Sequence, residues 1–408
     1  MQITDLTYRL RAFTIGTIVA MGLAVGSTQT SQADTVYAWG HNGSGQLGDG
    51  TLTDGVTAIA AGNAHSLAIQ NGAVYAWGHN GIGQLGDGTN TSRSTPVAIS
   101  TLTGGATAVA AGGYHSLAIK NGALYAWGYN EYGQLGDGTN TDRTTPVANS
   151  TLTNGVTAIA AGFNYCLAIQ NGAVYGWGTN GHGNLGDGTT TNRLTPAPTS
   201  ILTGGVTAIA AGGNHGLAIQ NGALYAWGYN GWGQLGDGTT TTRTSPVAIG
   251  TLTSGVTAIA AGGSHSLAIQ NGAVYAWGYN FDGQLGDDTT TNRPTPTLVG
   301  GLSNIVDVAA TNYASYALSV DGRLWSWGSN FDGQLGVGAI DGIQLTPAEV
   351  LAPMGYRFTS IGDSSNGAHV LATIAPIPEP TSIALAAIGA GSLGLIALRR
   401  RKKVRCRR

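Results

Sequence analysis

Five histidines recur at matched places along the chain, His65, His115, His215, His265 and His369, and four of them open the phrase His-x-Leu-Ala-Ile. Imidazoles in that number raise two chemistries, a metal centre and general acid–base work. A metal needs its ligands to converge on one point within about 2.0–2.3 Å. One histidine per repeat spreads equivalent side chains apart, so the pattern points to a structural hydrogen bond made once in each unit, since a buried imidazole needs a partner. Asp49, Asp87, Asp137, Asp187 and Asp237 each stand in Gly-Asp-Gly-Thr. That phrase lacks the alternating acidic spacing of a calcium loop and reads as a turn stabilised by its aspartate. His65 and Ser66 adjoin, but neighbours on a strand face opposite ways and make no nucleophile–base pair. The Gly-Gln-Leu-Gly segments lack the Lys-Ser/Thr and the following helix of a phosphate loop. Cys166 takes the place of a serine used in sibling repeats and reads as a packed small side chain. The expectation is a protein that is not an enzyme and needs no metal or cofactor.

The elements that carry these residues follow from one phrase. Tyr-Ala-Trp-Gly, a short variable stretch and Gly-Gln-Leu-Gly recur, with minor variation, around Trp39, Trp77, Trp127, Trp177, Trp227, Trp277 and Trp327, spaced 38 residues once and 50 thereafter. A fixed period of this length means units that bury their apolar faces only against neighbours, so the repeat region is one closed array. Within a repeat, Pro96–Ile99, Ala106–Gly112, His115–Lys120 and Ala123–Gly128 read as strands, with Asn121-Gly122 as a type I′ hairpin turn. Each repeat is then a four-stranded antiparallel meander, its Ala- and Gly-rich strand innermost because a radial array tapers toward its axis. The C-terminal end supplies three strands, Pro347–Pro353, Arg357–Asp363 and Ala368–Ile374, and Val36–Gly40 completes them. The prediction is an all-β, seven-bladed propeller closed by its N-terminal strand, with only three strands in the first blade because the short interval lacks the Pro-Val-Ala-Ile segment.

Charge and the chain ends bound the setting. Between Asp34 and Ala375 there are 18 acidic and 8 basic residues, a net charge of −10, which argues against nucleic acid as a partner. Glycine, at 67 residues, is roughly twice its usual share, as tight turns between short strands require. Residues 1–33 read as a secretory signal: Arg9 and Arg11, an uncharged run from Ala12 to Val25, then Ser31-Gln32-Ala33. The run is short for a membrane anchor. The propeller is assigned to residues 34–375. Residues 376–408 follow as Pro378-Glu379-Pro380, an uncharged segment over 381–398 long enough to reach across the inner membrane, and a basic tail that includes Cys406.

The phrase Tyr-Ala-Trp-Gly-x-Asn-x-x-Gly-Gln-Leu-Gly-Asp-Gly-Thr, joined to Ala-Ala-Gly-x-x-His-Ser-Leu-Ala-Ile, resembles the repeat of the regulator of chromosome condensation (RCC1-like) family over more than four-fifths of the chain. The resemblance implies a seven-bladed propeller and, as a distant alternative function, guanine-nucleotide exchange. The C-terminal order of motif, apolar segment and arginines is similar to the PEP-CTERM signal. That implies processing by an exosortase-type enzyme and a bacterial protein at the cell surface or in the extracellular matrix.

Strand direction selects a working surface. In an antiparallel meander the loops after Ala-Ile-Ala-Ala-Gly and after Tyr-Ala-Trp-Gly emerge at one end, and the Asn-Gly turns at the other. The variable loops of the first end carry His41, His79, Tyr114, Tyr129, Tyr132, Phe163, His182, Trp232, Phe281, Tyr313 and Phe331. Trp232 is replaced in sibling repeats by Ser44, Ile82, Tyr132, His182, Asp282 and Asp332, a range too wide for one packing slot. The expected partner is an extracellular or envelope protein or polysaccharide, bound through these aromatics; a structural matrix component is the alternative.

Overall fold

The computed structural model describes residues 13–15, 34–48, 52, 55–338, 342–362 and 367–377. Among them every regular element is a strand, and the strands form seven four-stranded antiparallel sheets. The second blade shows the pattern: Ala106–Ala111, His115–Lys120, Ala123–Gly128 and Arg143–Ala148, hydrogen-bonded in that order. The two-residue turn between its second and third strands has Asn121 at φ 52° and Gly122 at φ 77°, the left-handed pair that a type I′ hairpin demands. The Ala-rich strands are innermost. Their Ile59, Val109, Ile159 and Ile209, with Ile361 of the closing blade, line an axial cavity of about 190 Å³.

Closure runs through the N-terminus, as the strand pattern predicts. Asp34–Gly40 pairs with His369–Pro376 from Thr35↔Ile374 to Gly40↔His369. The phase of the blades differs from the sequence reading. The Pro-Val-Ala strand does not open the next unit; Arg93–Ala98 is the outer strand of the blade just completed, with Tyr75 opposite Ala98. By the same shift Ile343–Val350 pairs with Leu324–Ser329 in the sixth blade and does not belong to the last one. The first blade has four strands, and the short interval instead deprives the closing blade of its usual outer strand. Phe13–Ile15, from the stretch read as a secretory signal, pairs there with Asp34–Val36. Periodicity fixes the length of the unit; only hydrogen-bond register says where the unit starts.

Seven apolar cores lie between blades and not within them. Trp127 of the second blade, for example, packs with Leu67, Ile69, Val74, Leu85 and Ile99 of the first. Each tryptophan is also tied across its interface by one hydrogen bond. Trp77 Nε1 donates to Gln46 O at 2.8 Å, and Trp127 to Gln84 O, Trp177 to Gln134 O, Trp277 to Gln234 O and Trp327 to Gln284 O, each at 2.9 Å. Trp227 uses Asn184 O at 2.8 Å, and Trp39 closes the circle on Gln334 O at 2.6 Å. The repeated words follow from this joint. Leu85 of Gly-Gln-Leu-Gly is fully buried, and a Cβ on the following Gly86 would lie 2.7 Å from the Trp127 nitrogen. The glycine after each of these seven tryptophans sits near φ +100°, where a side chain would also meet a carbonyl: Gly78 has φ 104° and its Cβ would lie 2.5 Å from Ala64 O.

The histidines reinforce the same joint. Ser116 Oγ donates to Gln84 O at 2.7 Å, and His65 Nε2 of the preceding blade lies 3.0 Å from that hydroxyl. The hydroxyl proton is used on the carbonyl, so Nε2 carries the imidazole hydrogen and Nδ1 is an unprotonated nitrogen without a partner among the described residues. His215–Ser266 and His265–Ser315, both at 2.9 Å, repeat the pair, as do His115–Cys166 and His369–Ser66 at 3.0 Å. Two interfaces depart from it together on both sides. Tyr165 replaces histidine and Gly216 replaces serine, and the Tyr165 hydroxyl reaches past the glycine to donate to His215 O. At the other interface Ala314 and Val370 replace the pair, and the Tyr316 hydroxyl takes over the carbonyl, donating to Gln334 O at 2.7 Å.

Two outcomes follow. Gly216→Ser alone would place a Cβ 2.5 Å from the Trp227 ring and should cost on the order of 1–3 kcal/mol, whereas adding Tyr165→His restores the imidazole–hydroxyl pair of the sibling interfaces, so the double variant should be more stable than the sum of the two single costs. Thermal unfolding of the two single variants and the double variant measures the coupling; strict additivity contradicts the pairing. The second concerns pH. Burial lowers His65, His115, His265 and His369 to about 3 and His215 to about 4. The unfolded chain, whose histidines titrate near about 6.5, binds more protons below that pH, so stability is full above it and falls as pH drops toward 4. The slope is up to about 1.4 kcal/mol per pH unit for each histidine. His265→Gln, which keeps a donor for Ser315, should reduce the slope by about one proton; an unchanged slope in denaturant titrations contradicts it.

Candidate recognition face

The loop after each tryptophan is long, and a side-chain knot holds it. In the first blade Asn80 Nδ2 donates to Asp87 Oδ1 at 3.1 Å and to the Thr89 and Thr91 carbonyls, while its Oδ1 accepts from Leu85 N at 2.9 Å. Thr89 bonds Asp87 Oδ1 through both its amide and its hydroxyl, and Arg93 pairs with Oδ2 at 3.0 Å. Burial would raise the Asp87 carboxyl, but the bonds from Thr89, Arg93 and Asn80 outweigh it and hold the group below the usual carboxylate value. The knot recurs at Asp137, Asp187, Asp237 and Asp287. Their carboxylates are taken by protein donors, which makes Gly-Asp-Gly-Thr a turn lock. Asp49 lies outside the described residues.

Above the knots, the two loop families stand side by side. Tyr129 N donates to Tyr114 O, Tyr279 N to Ser264 O and Ser329 N to Tyr313 O. The aromatics foreseen in these loops therefore share one end of the ring, in chains that cross blade boundaries. His79, Tyr114 and Phe163 follow one another edge to face at 6.3 and 6.2 Å, with Asn63 Nδ2 donating to Tyr114 OH at 2.9 Å. Tyr132 leans on Tyr129 at 6.2 Å, and His182 on Tyr229 at 4.9 Å. Trp232, Tyr279, Phe281 and Tyr313 form the largest group, with Tyr279 at its centre 5.3 Å from Trp232, 5.0 Å from Phe281 and 6.4 Å from Tyr313. Phe281 and Phe331 are 56% and 66% exposed, while Tyr132 and Trp232 are only a little over a third exposed.

Some of the chosen residues are anchored to the scaffold. His41 and His79 accept at Nδ1 from the side chains of Gln46 and Gln84, at 2.8 and 2.7 Å. Others were passed over: Tyr229 and Tyr279 occupy the position of Tyr129 and His79 in their own repeats, and alignment of the copies singles them out. The same glutamine row has one irregular member. Gln134 Nε2 donates to Asn164 Oδ1 at 3.4 Å and Asn184 Nδ2 to Asn214 Oδ1 at 3.2 Å, but Tyr313 stands at the matching place beside Gln284, whose Nε2 is buried without a partner among the described residues. Burial pushes the thiol of Cys166 well up, so it is a packing and hydrogen-bonding group. The axial cavity is lined by Ala, Val and Ile and offers no polar side chain. Among the described residues no helix is long and apolar enough to cross a membrane. Pro378, Glu379, Pro380 and the 381–398 segment lie outside the described residues.

Comparison with known proteins agrees with this architecture. Two family models match: the RCC1-like domain over residues 35–372 and the PEP-CTERM protein-sorting motif over residues 376–402. Among solved structures, human WBSCR16 is similar at 21% identity and a TM-score of 0.74, covering 85% of this chain and 100% of that one. Prp20p from Saccharomyces cerevisiae is similar at 24% identity and a TM-score of 0.73, covering 87% and 94%. Yeast RCC1 (Prp20), solved with Kap60, gives 22%, 0.74, 88% and 96%. These likenesses are of fold. A search of curated proteins gave no significant match. Seven four-stranded blades, closed through the N-terminal strand and matched along nearly their whole length, place this chain in the RCC1-like domain family, with a PEP-CTERM sorting motif at its C-terminal end.

Proposed function

We propose that this is an exported binding protein, displayed at the cell surface or in the extracellular matrix, that recognises a protein or polysaccharide through the aromatic face of its propeller. The sorting motif supports export and processing of the C-terminal segment by an exosortase-type enzyme. The single observation that carries the binding role is the gathering of exposed rings at one end of the ring over an almost uniform framework: Tyr132, Phe163, Trp232, Phe281, Tyr313 and Phe331 all stand there. Tyr and Trp are the side chains that most often dominate binding energy. Their neighbours on the framework are taken up by the turn locks and the inter-blade joints, which leaves these loops free to differ from blade to blade. No catalytic role is proposed. The histidines and Asp87-type carboxylates are engaged in the scaffold, and Cys166 is buried.

The test is retention of the purified exported protein on envelopes and matrix from cells lacking it. Trp232→Ala with Tyr132→Ala should weaken retention at least tenfold, the effect of losing about 2 kcal/mol at a hot spot, and should leave the melting temperature within about 2 °C. Equal retention would support a structural matrix role, and a large drop in melting temperature would assign these rings to packing. The exchange-factor alternative requires a cytosolic protein; a reporter fused behind residues 1–40 that remains inside the cell would favour it.

A further inference from the structure

One part of the aromatic face differs from the rest in charge. A cleft of about 490 Å³ opens there, reaching from the fifth blade across to the first and lined on one side by Tyr279, Asp282, Tyr313, Phe331 and Asp332, with Asn63 opposite. Besides the turn-lock aspartates, the described loops of this face contain Glu131, Asp142, Asp282, Asp288 and Asp332 and no lysine or arginine, and of these Asp282 and Asp332 line the cleft. Glu131 is bonded by the Tyr129 hydroxyl. Asp282 and Asp332 are held only through their backbone amides, which donate to Gln284 Oε1 at 3.0 Å and Gln334 Oε1 at 2.9 Å. Neither carboxylate has an ion pair among the described residues, whereas every aspartate of the turn locks has its arginine. Burial raises the Asp282 carboxyl, which lines the cleft together with Tyr279, whose ring is tilted at 54° to that of Phe281.

Asp332 is exposed and Asp282 half-buried, and carboxylates without a counterion beside aromatic rings are complementary to a cation. Ring faces attract ammonium and guanidinium groups through their quadrupole, and a nearby carboxylate adds a full countercharge. We propose that this cleft is a subsite for a lysine or arginine side chain of a protein partner, the cation lying against Tyr279, Tyr313 and Phe331 with Asp282 and Asp332 as its counterions. The inference rests on the reading of this face as a recognition surface and names the partner as a basic protein segment. A neutral polysaccharide would use the rings and have no need of two unpaired charges.

The probes are pentalysine amide, penta-arginine amide, pentaglutamate and a neutral cello-oligosaccharide, titrated calorimetrically into the exported protein. The cationic peptides should bind, and their affinity should fall at least tenfold between 20 and about 200 mM salt. Asp282→Asn with Asp332→Asn keeps shape and both backbone anchors and should weaken pentalysine at least tenfold. Phe331→Ala, at an exposed ring, should weaken it several-fold, and Glu131→Gln, which removes a charge from the same face outside the cleft, should stay within about twofold. The proposal is overturned if pentalysine does not bind, if the double Asn variant binds it as well as the parent does, or if the oligosaccharide binds and the Asn replacements leave that binding unchanged. The retention assay separates the two readings. Retention lost with Trp232→Ala and Tyr132→Ala but kept with the double Asn variant overturns the cation subsite alone, while retention kept in both overturns the face itself.

Discussion

The structure depends on one acceptor, the backbone carbonyl of the glutamine in Gly-Gln-Leu-Gly. It accepts an indole N–H from the next blade at all seven interfaces, with asparagine supplying it once, and at six of them it also accepts a hydroxyl or thiol proton, the sixth from Tyr316. A buried carbonyl has two lone pairs, and here both are used where two blades meet. The apolar cores lie at the same seams, so burial and hydrogen bonding favour the same register, and a blade out of place would forfeit both. No blade owns a core of its own, which makes each unit unstable alone and the closed ring stable as a whole.

This arrangement also accounts for the recognition face. The glutamine backbone is committed to the seam, while its side chain points to the loop above and holds the backbone two residues earlier: Gln234 Oε1 accepts from Trp232 N at 3.0 Å, and Gln134 Oε1 from Tyr132 N at 3.0 Å. The side chain at that position is thereby presented from a fixed backbone, whatever its identity. Rigid presentation lowers the entropy lost on binding, since the loop is already in place before a partner arrives. Structural constraint and variability sit two residues apart in the sequence.

Much of this was legible from the residues, and the misses have physical causes. Repeat number, hairpin turns, the inner position of the Ala-rich strand and closure by Val36–Gly40 all follow from local patterns that the structure retains. The assignment of Pro347–Pro353 to the last blade failed because periodicity is blind to phase, and the strand after the long loop is bonded backward, to Leu324–Ser329. The three-stranded first blade failed for the same reason, with the shortfall falling on the closing blade. The histidine pattern pointed to a bond per blade, but its partner, a serine in the neighbouring blade 50 or so residues away, is a tertiary fact. Tyr279 was hidden because attention to differences between repeats passes over a residue shared by several; its place at the centre of the ring cluster comes from the approach of Trp232 and Tyr313 from adjacent blades.

The central claim is that the ring is a belt of equivalent joints in which the N-terminal segment supplies two: Trp39 donates to Gln334 O, and Gln46 O receives Trp77 and Ser66. Deleting Asp34–Gly50 removes both and bares the edge of His369–Pro376. The measurement is the melting temperature and mass in solution of that truncated chain, alone and with a synthetic peptide of residues 34–50. A lowered melting temperature with self-association, both reversed by the peptide, is the predicted result. A truncated chain that melts like the full one, remains monomeric and ignores the peptide would contradict the account.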